Sequence, residues 1–287
     1  MNRLRFLKLS FQLQATRSYE SRGFVGNKVR GAIGEAMVHL FCPHQDPLCR
    51  ICEEAQDCIY SSVFKPVRSH PEFTSLPSPF VIGVEELCKE VIIKGEILNF
   101  TLTVFGKMVE YKKQLIRAVR EIFRDARRGF GKNFALVAID SLMEAKRIWS
   151  TGAEDEDSAQ AVLWRDSTGE GMDTGEEREV LIRFKTPLLT KNNMHLSCGF
   201  NEFLDAVLYR VASMIDVYED GECLLSYGML YRRPCVRAEI FSQGERFEML
   251  FKGDLTRYMT YIRMGKHLHI GKKTTCGFGE YECLLTL

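Results

Sequence analysis

The sequence predicts two α+β domains with antiparallel sheets. Three observations predict it: each half opens on an alternating strand, each continues into an amphipathic helix, and a Gly-, Ser- and acid-rich stretch separates them. The order strand–helix–strand–strand–helix occurs twice. A chain of 287 residues suits two domains at ~100–200 residues each. The boundaries read as 1–149, an acidic flexible linker at 150–178, and 179–287.

In the first strand Leu7, Leu9, Phe11 and Leu13 alternate with Lys8, Ser10 and Gln12. A helix over 28–41 follows, with Val29, Ile33, Ala36, Met37 and Leu40 on one stripe. Residues 91–105 read as a strand pair, and 113–128 as a second helix. The other half begins with VLIRFKTPLL (180–189), a strand closed by a Thr-Pro turn. A helix over 200–216 carries Phe200, Phe203, Leu204, Val207, Leu208, Val211, Met214 and Ile215 at helical spacing. A further strand pair lies in 222–252.

The composition, 45% hydrophobic and 27% charged, is that of a globular protein. No apolar run approaches the ~20 residues of a membrane span. MNRLRFLKLSFQLQATRS is too interrupted by charge for a signal peptide. A cytoplasmic protein is expected, with no membrane partner and with its ten cysteines reduced. The formal net charge is +1, but it is unevenly spread. Residues 150–178 hold nine Asp and Glu against two Arg, and the rest of the chain holds 37 basic and 29 acidic residues. Such an excess serves solubility or forms a nucleic-acid footprint, depending on placement.

Cys42, Cys49, Cys52 and Cys58 are spaced C-x6-C-x2-C-x5-C. Four thiolates close a tetrahedral shell around zinc, and C-x2-C is the usual half-knuckle. A structural four-cysteine zinc site at 42–58 is the leading reading, with no open position for catalysis. A loop of free cysteines and an iron–sulfur cluster stay open, and His44 can replace one thiolate. On the preceding helix, Lys28, Glu35 and His39 fall on one flank, within roughly 40° of one another. Glu35 stands four residues before His39. A carboxylate beside an imidazole orients it and suits it to general acid or base work; an exposed histidine in a helix ion pair is the alternative.

The helix at 113–128 places Arg117, Arg120, Arg124, Arg127 and Arg128 on one face, with Glu121 and Asp125 nearby. The excess can neutralise a phosphate backbone, or form a solvated salt-bridged face. RRGFGKN (127–133) follows as a glycine loop carrying Lys132. MGKHLHIGKKTTCGFGEYE (264–282) repeats the theme with Lys266, His269, Lys272 and Lys273 and no acid before Glu280. Glycines let backbone amides approach a polyanion, and lysines supply charge.

Several of these segments resemble one known family. GNKVRGAIGEAMVHLFC (26–42) is similar to its segment after the first strand, with Val29 in place of leucine. PSPFVIG (77–83), RGFGKNFALV (128–137), FKTPLLT (184–190) and LHIGKKTTCGFGEYE (268–282) resemble its later motifs in order. The family is the CRISPR repeat-processing endoribonucleases of the RAMP superfamily, and the cysteine run resembles its zinc-containing branch.

The resemblance implies tandem ferredoxin-like (RRM-like) domains, with the four-cysteine zinc insertion at 42–58 in the first and the glycine-rich loop at 264–282 in the second. It implies an antiviral-defence function: cutting CRISPR precursor transcripts within repeats to release guide RNAs. RNA carries its own nucleophile, the 2′-hydroxyl, so no catalytic metal is expected. The products would be a 5′-hydroxyl and a 2′,3′-cyclic phosphate. In this reading His39 is the general acid or base, oriented by Glu35, and Lys28 or Arg30 stabilises the transition-state phosphate. Tyr19 is a candidate second proton-transfer group. The closing loop and the arginine helix hold the repeat RNA, and other CRISPR effector subunits are further candidate partners. Two rivals remain: a non-catalytic RAMP subunit that binds guide RNA in an effector complex, and a zinc-stabilised adaptor that binds protein.

Overall fold

The computed structural model describes residues 2–20, 23–44, 48–66, 76–125, 129–151, 153–154, 158–165, 178–189, 199–219, 236–243 and 246–286. They form two compact units, Arg5–Val162 and Leu163–Leu287, the second joined by Met1–Leu4.

In the N-terminal unit the elements run β1 (Arg3–Ala15), β2 (Tyr19–Glu20), α1 (Gly26–Phe41), α2 (Ile59–Phe64), β3 (Phe80–Gly83), β4 (Val91–Ile92), β5 (Ile97–Phe105), α3 (Lys112–Ile122), β6 (Phe134–Ser141), β7 (Lys146–Ser150) and β8 (Ala153–Glu154). The main sheet has the order β3-β5-β1-β6-β7-β8, antiparallel throughout, and β9 (Val162–Arg165) also pairs with β1. β1 lies inside the sheet, so Leu7, Leu9, Phe11 and Leu13 are fully buried. Phe11 faces Phe100 of β5 in register, with stacked rings 4.8 Å apart. The α1 stripe of Val29, Ile33, Ala36 and Met37 is buried, and α1 packs on α3.

The second unit repeats the plan. Its elements are β10 (Arg178–Phe184), α4 (Phe200–Tyr218), β11 (Arg237–Gln243), β12 (Arg246–Gly253), α5 (Met259–Leu268) and β13 (Tyr281–Thr286). Their sheet order is β11-β12-β10-β13. Numbered within each βαββαβ unit, the four strands of both sheets stand in the same order, second–third–first–fourth. All eight apolar residues of the α4 stripe are buried, each contributing about 1.5–3 kcal/mol against chain entropy. Phe203 anchors the packing, 5.4 Å from the Phe251 ring and 5.5 Å from that of Tyr281.

Three expectations are corrected here. The strands in 91–105 form, but β4 pairs with β2 rather than with β5. The turn between them is tied to the end of β1: Gly95 N–H donates to Ala15 O (2.8 Å) and Ala15 N–H to Glu96 O (2.9 Å). The helix read as 113–128 stops at Ile122, where Phe123 and Arg124 N–H turn back to the carbonyls of Arg120 and Glu121. The acidic segment 150–178 is in part ordered structure. It supplies β8 and β9, buries Ala159 completely, and accepts a hydrogen bond from Lys112 Nζ at Ala159 O. Its acid-rich stretches 155–157 and 166–177 lie outside the described residues. Among the described residues no helix is long and apolar enough to cross a membrane.

Candidate functional site

Lys28, Glu35 and His39 are all exposed, as their shared flank of α1 requires. Glu35 and His39 are one turn apart, a spacing that makes side chains neighbours. Lys28 stands eleven residues before His39, about 16 Å away along the axis at 1.5 Å per residue. It marks the far end of the flank. Arg30 is on the other side of the helix, half-buried over the Phe64 ring at 5.7 Å. Arg30, the alternative to Lys28 for the transition-state phosphate, thus stands on the opposite side of α1 from His39.

Tyr19 is half-buried, its ring edge-on to Phe134 at 5.7 Å. Burial pushes its phenol up, so it stays protonated at neutral pH and is suited to donate a proton. The first glycine loop docks beside it. Asn133 O accepts from Thr16 N–H (2.8 Å), Lys132 O from Thr16 Oγ1 (3.2 Å), and Asn133 Oδ1 from Arg17 Nε (2.7 Å). Lys132 is exposed on this loop. Arg17 is a basic contact that the sequence reading missed; its signal was its place two residues before Tyr19.

The arginine ridge is more engaged than the helix pattern implied. Arg117 lies over the Phe41 ring at 5.8 Å, at the same end of α1 as His39. Arg120 lies over Trp149 at 5.0 Å. Arg124, beyond the helix end, pairs with Glu121 at 3.4 Å. Arg127 and Arg128 lie outside the described residues.

All four cysteines line a single cavity of about 400 Å³ next to the end of α1, with His44, Glu53 and Glu54 on its wall. Among the described residues none of the four is in a disulfide. Burial pushes the Cys49 thiol up; Lys65 opposes this, and Cys58, Cys42 and Cys52 add to it. A soft four-sulfur set suits zinc. Among the described residues, however, no group of three or more His, Cys, Asp or Glu is arranged to hold a metal ion. The donor chemistry fits the ion; a preassembled shell is not present.

In the C-terminal unit Lys266 occupies the last turn of α5, and Lys272 and Lys273 are exposed on the loop beyond it. His269 is only 2% exposed. Expected on the RNA backbone, it is instead part of the interior, because the chain leaving α5 turns inward there. The loop is clamped to the segment that follows β10: Lys272 N–H donates to Leu189 O (2.7 Å) and Gly279 N–H to Pro187 O (3.0 Å). Gly279 has φ +71, and a Cβ there would stand 1.8 Å from Ile270 O. Only glycine fits at this crossing. Arg263, exposed on α5, was also missed. Burial pushes the Cys283 thiol up, and Arg263 and Lys266 only partly oppose it.

The two units are each antiparallel α+β, and each presents exposed cations on a glycine loop. Residues 4–161 match the family model AF_1859_N, described as an N-terminal domain. The chain belongs to that family. Residues 182–281, in the second half, match the model of the CRISPR-associated endoribonuclease Cas6. An uncharacterized protein of Archaeoglobus fulgidus is 23% identical over 222 residues, covering 75% of this chain and 73% of the relative. A chain in a partial Cas6-RT-Cas1–Cas2 complex aligns at TM-score 0.61 and 8% identity over 99% of this chain. This chain spans 46% of that one. A Cas6 product complex aligns at TM-score 0.54 and 13% identity, over 97% of this chain and 100% of the other. These likenesses establish a Cas6-like fold.

Proposed function

We propose that the protein is an endoribonuclease that cuts CRISPR precursor transcripts within their repeats, on a pair of ferredoxin-like domains. The observation that carries this reading is the Cas6 match over residues 182–281, which spans the docked glycine loop with exposed Lys272 and Lys273. The shared strand order of the two βαββαβ units supports the tandem fold.

The chemistry is internal transesterification. The 2′-oxygen of one nucleotide attacks the adjacent phosphorus as its proton leaves for a base. The bond from phosphorus to the 5′-oxygen breaks, and that oxygen takes a proton from an acid. A 2′,3′-cyclic phosphate and a 5′-hydroxyl result. His39 performs one proton transfer, oriented by Glu35. Tyr19, kept protonated by burial, is the candidate donor for the other. Lys28, at the far end of the flank, holds a neighbouring phosphate. The closing loop and Arg117 hold the backbone further along.

Cys42, Cys49, Cys52 and Cys58 would bind one structural zinc that closes the loop after α1, as in the zinc-containing branch of the family. The shared cavity supports this reading. Zinc would fix the loop beside the catalytic helix and take no part in the chemistry. Guide RNA and other CRISPR proteins are the partners this reading implies, in the cytoplasm. The likeness to a chain of the Cas6-RT-Cas1–Cas2 complex supports the protein partners.

The test is incubation of the protein with a labelled repeat RNA in EDTA, with analysis of the product ends. A 5′-hydroxyl and a 2′,3′-cyclic phosphate are expected. Tight binding without products would establish the non-catalytic RNA-binding subunit instead.

A further inference from the structure

Arg210 sits in α4, and its side chain reaches the closing loop from below. Nε donates to Leu268 O (3.3 Å) and Nη2 to Thr274 Oγ1 (3.1 Å). Leu268 ends α5, and Thr274 opens the single 3₁₀ turn of the loop. The guanidinium thus spans the five residues that carry Lys272 and Lys273.

Two of those five residues are held in costly conformations. His269 has φ 55 and ψ 160, a region almost reserved for glycine, and Lys273 is left-handed at φ 56 and ψ 32. Non-glycine residues in such regions cost of order 1–3 kcal/mol each and persist only where their surroundings fix them. A planar fork with two donors in fixed directions can set both ends of the segment at once; an ammonium cannot.

The charge is also unbalanced. Arg210 bonds only neutral acceptors, and no carboxylate among the described residues pairs with it. Burial pushes its guanidinium down to about 10, which leaves it charged at neutral pH. Arg210 is only part-buried, but withdrawing part of a cation from water without a counter-ion still costs free energy. A polyanion lying along the loop would supply the missing negative charge.

We infer that Arg210 is a positioning residue for RNA binding: it ties the end of α5 to the loop's turn and so presents Lys272 and Lys273 to the phosphate backbone. This role rests on the RNA-binding reading of the loop given above.

The test is a double-mutant cycle read by binding of a fluorescein-labelled oligouridylate, with thermal unfolding measured alongside. R210Q and R210K should each weaken binding about tenfold, the scale of one or two lost phosphate contacts. The pair K272A/K273A, costly in the wild type, should add little in either Arg210 background. A purely structural arginine would lower the unfolding midpoint and leave the lysine effect whole. R210K keeps the charge and the bulk, so the cycle stands even if R210Q fails to fold. Additive effects, or wild-type binding by R210K and R210Q, would overturn the role and leave RNA binding in place. A wild type that does not bind the oligouridylate overturns the RNA-binding reading, and this role with it.

Discussion

His39 carries the chemical assignment. It is exposed on α1, one turn from Glu35 and away from Arg30. A positioned acid or base contributes typically 10²–10⁴-fold. His39→Ala should therefore slow single-turnover cleavage of repeat RNA by at least ~100-fold while leaving RNA affinity within about twofold, since a single contact adds little to a polyanion interface. Equal cleavage rates for the two proteins would remove His39 from the mechanism. The flank of α1 was legible in the sequence because helical spacing alone sets it. The burial of His269 was not. Its neighbours Lys266, Lys272 and Lys273 are exposed, but the backbone turn at φ 55 that sends it inward leaves no trace in a basic glycine-rich stretch. Arg17 and Arg210 escaped for a related reason: each acts through partners more than fifty residues away in sequence.

The elements divide in the same way. Strands and helices with unbroken apolar periodicity, β1, α1, β10 and α4, were legible because their burial follows directly from the spacing of their side chains. The end of α3 and the partner of β4 were not, since hydrogen bonds to the end of a strand or helix decided them. The contact of α5 with β13 was equally invisible, and it makes a sharp prediction. Tyr281 Oη donates to Ile262 O at 2.7 Å in the core, and a Cβ on Gly265 would lie 2.2 Å from Tyr281 Oη and 3.1 Å from Val207. Gly265→Ala should cost about 1–3 kcal/mol through overpacking, and Tyr281→Phe about 1 kcal/mol. The double variant should lose less than the two costs combined in chemical denaturation, because the phenylalanine removes the clashing atom; strict additivity would rule out this packing. The cysteine loop makes another. Metal analysis should find one zinc per chain, and the double variant C49S/C52S should lose it together with thermal stability, before cleavage is lost. A folded, zinc-free and inactive double variant would give the metal a part in the reaction.

At the scale of the whole molecule, a formal net charge of +1 provides almost no long-range attraction for RNA. Binding must come from local cations. The candidate phosphate contacts among the exposed cations are Lys28, Arg117 and Lys132 in the N-terminal unit and Lys266, Lys272 and Lys273 in the C-terminal unit. Each phosphate neutralised on a single strand contributes about −0.7 to the slope of log affinity against log salt. If one RNA engages both units, the six cations predict a slope of about −4; if one unit binds alone, about −2. Between 50 and 200 mM salt, the first case weakens binding by roughly 300-fold and the second by under ~20-fold. The slope, measured by anisotropy with a labelled repeat RNA in EDTA, thus counts the units in contact with the strand. K272A/K273A should make it shallower by about 1.4, leaving at least half of a two-unit slope in place. A slope near zero for the wild type would mean that neither cationic set meets a phosphate backbone. The protein-binding adaptor would then be the better account of these two units.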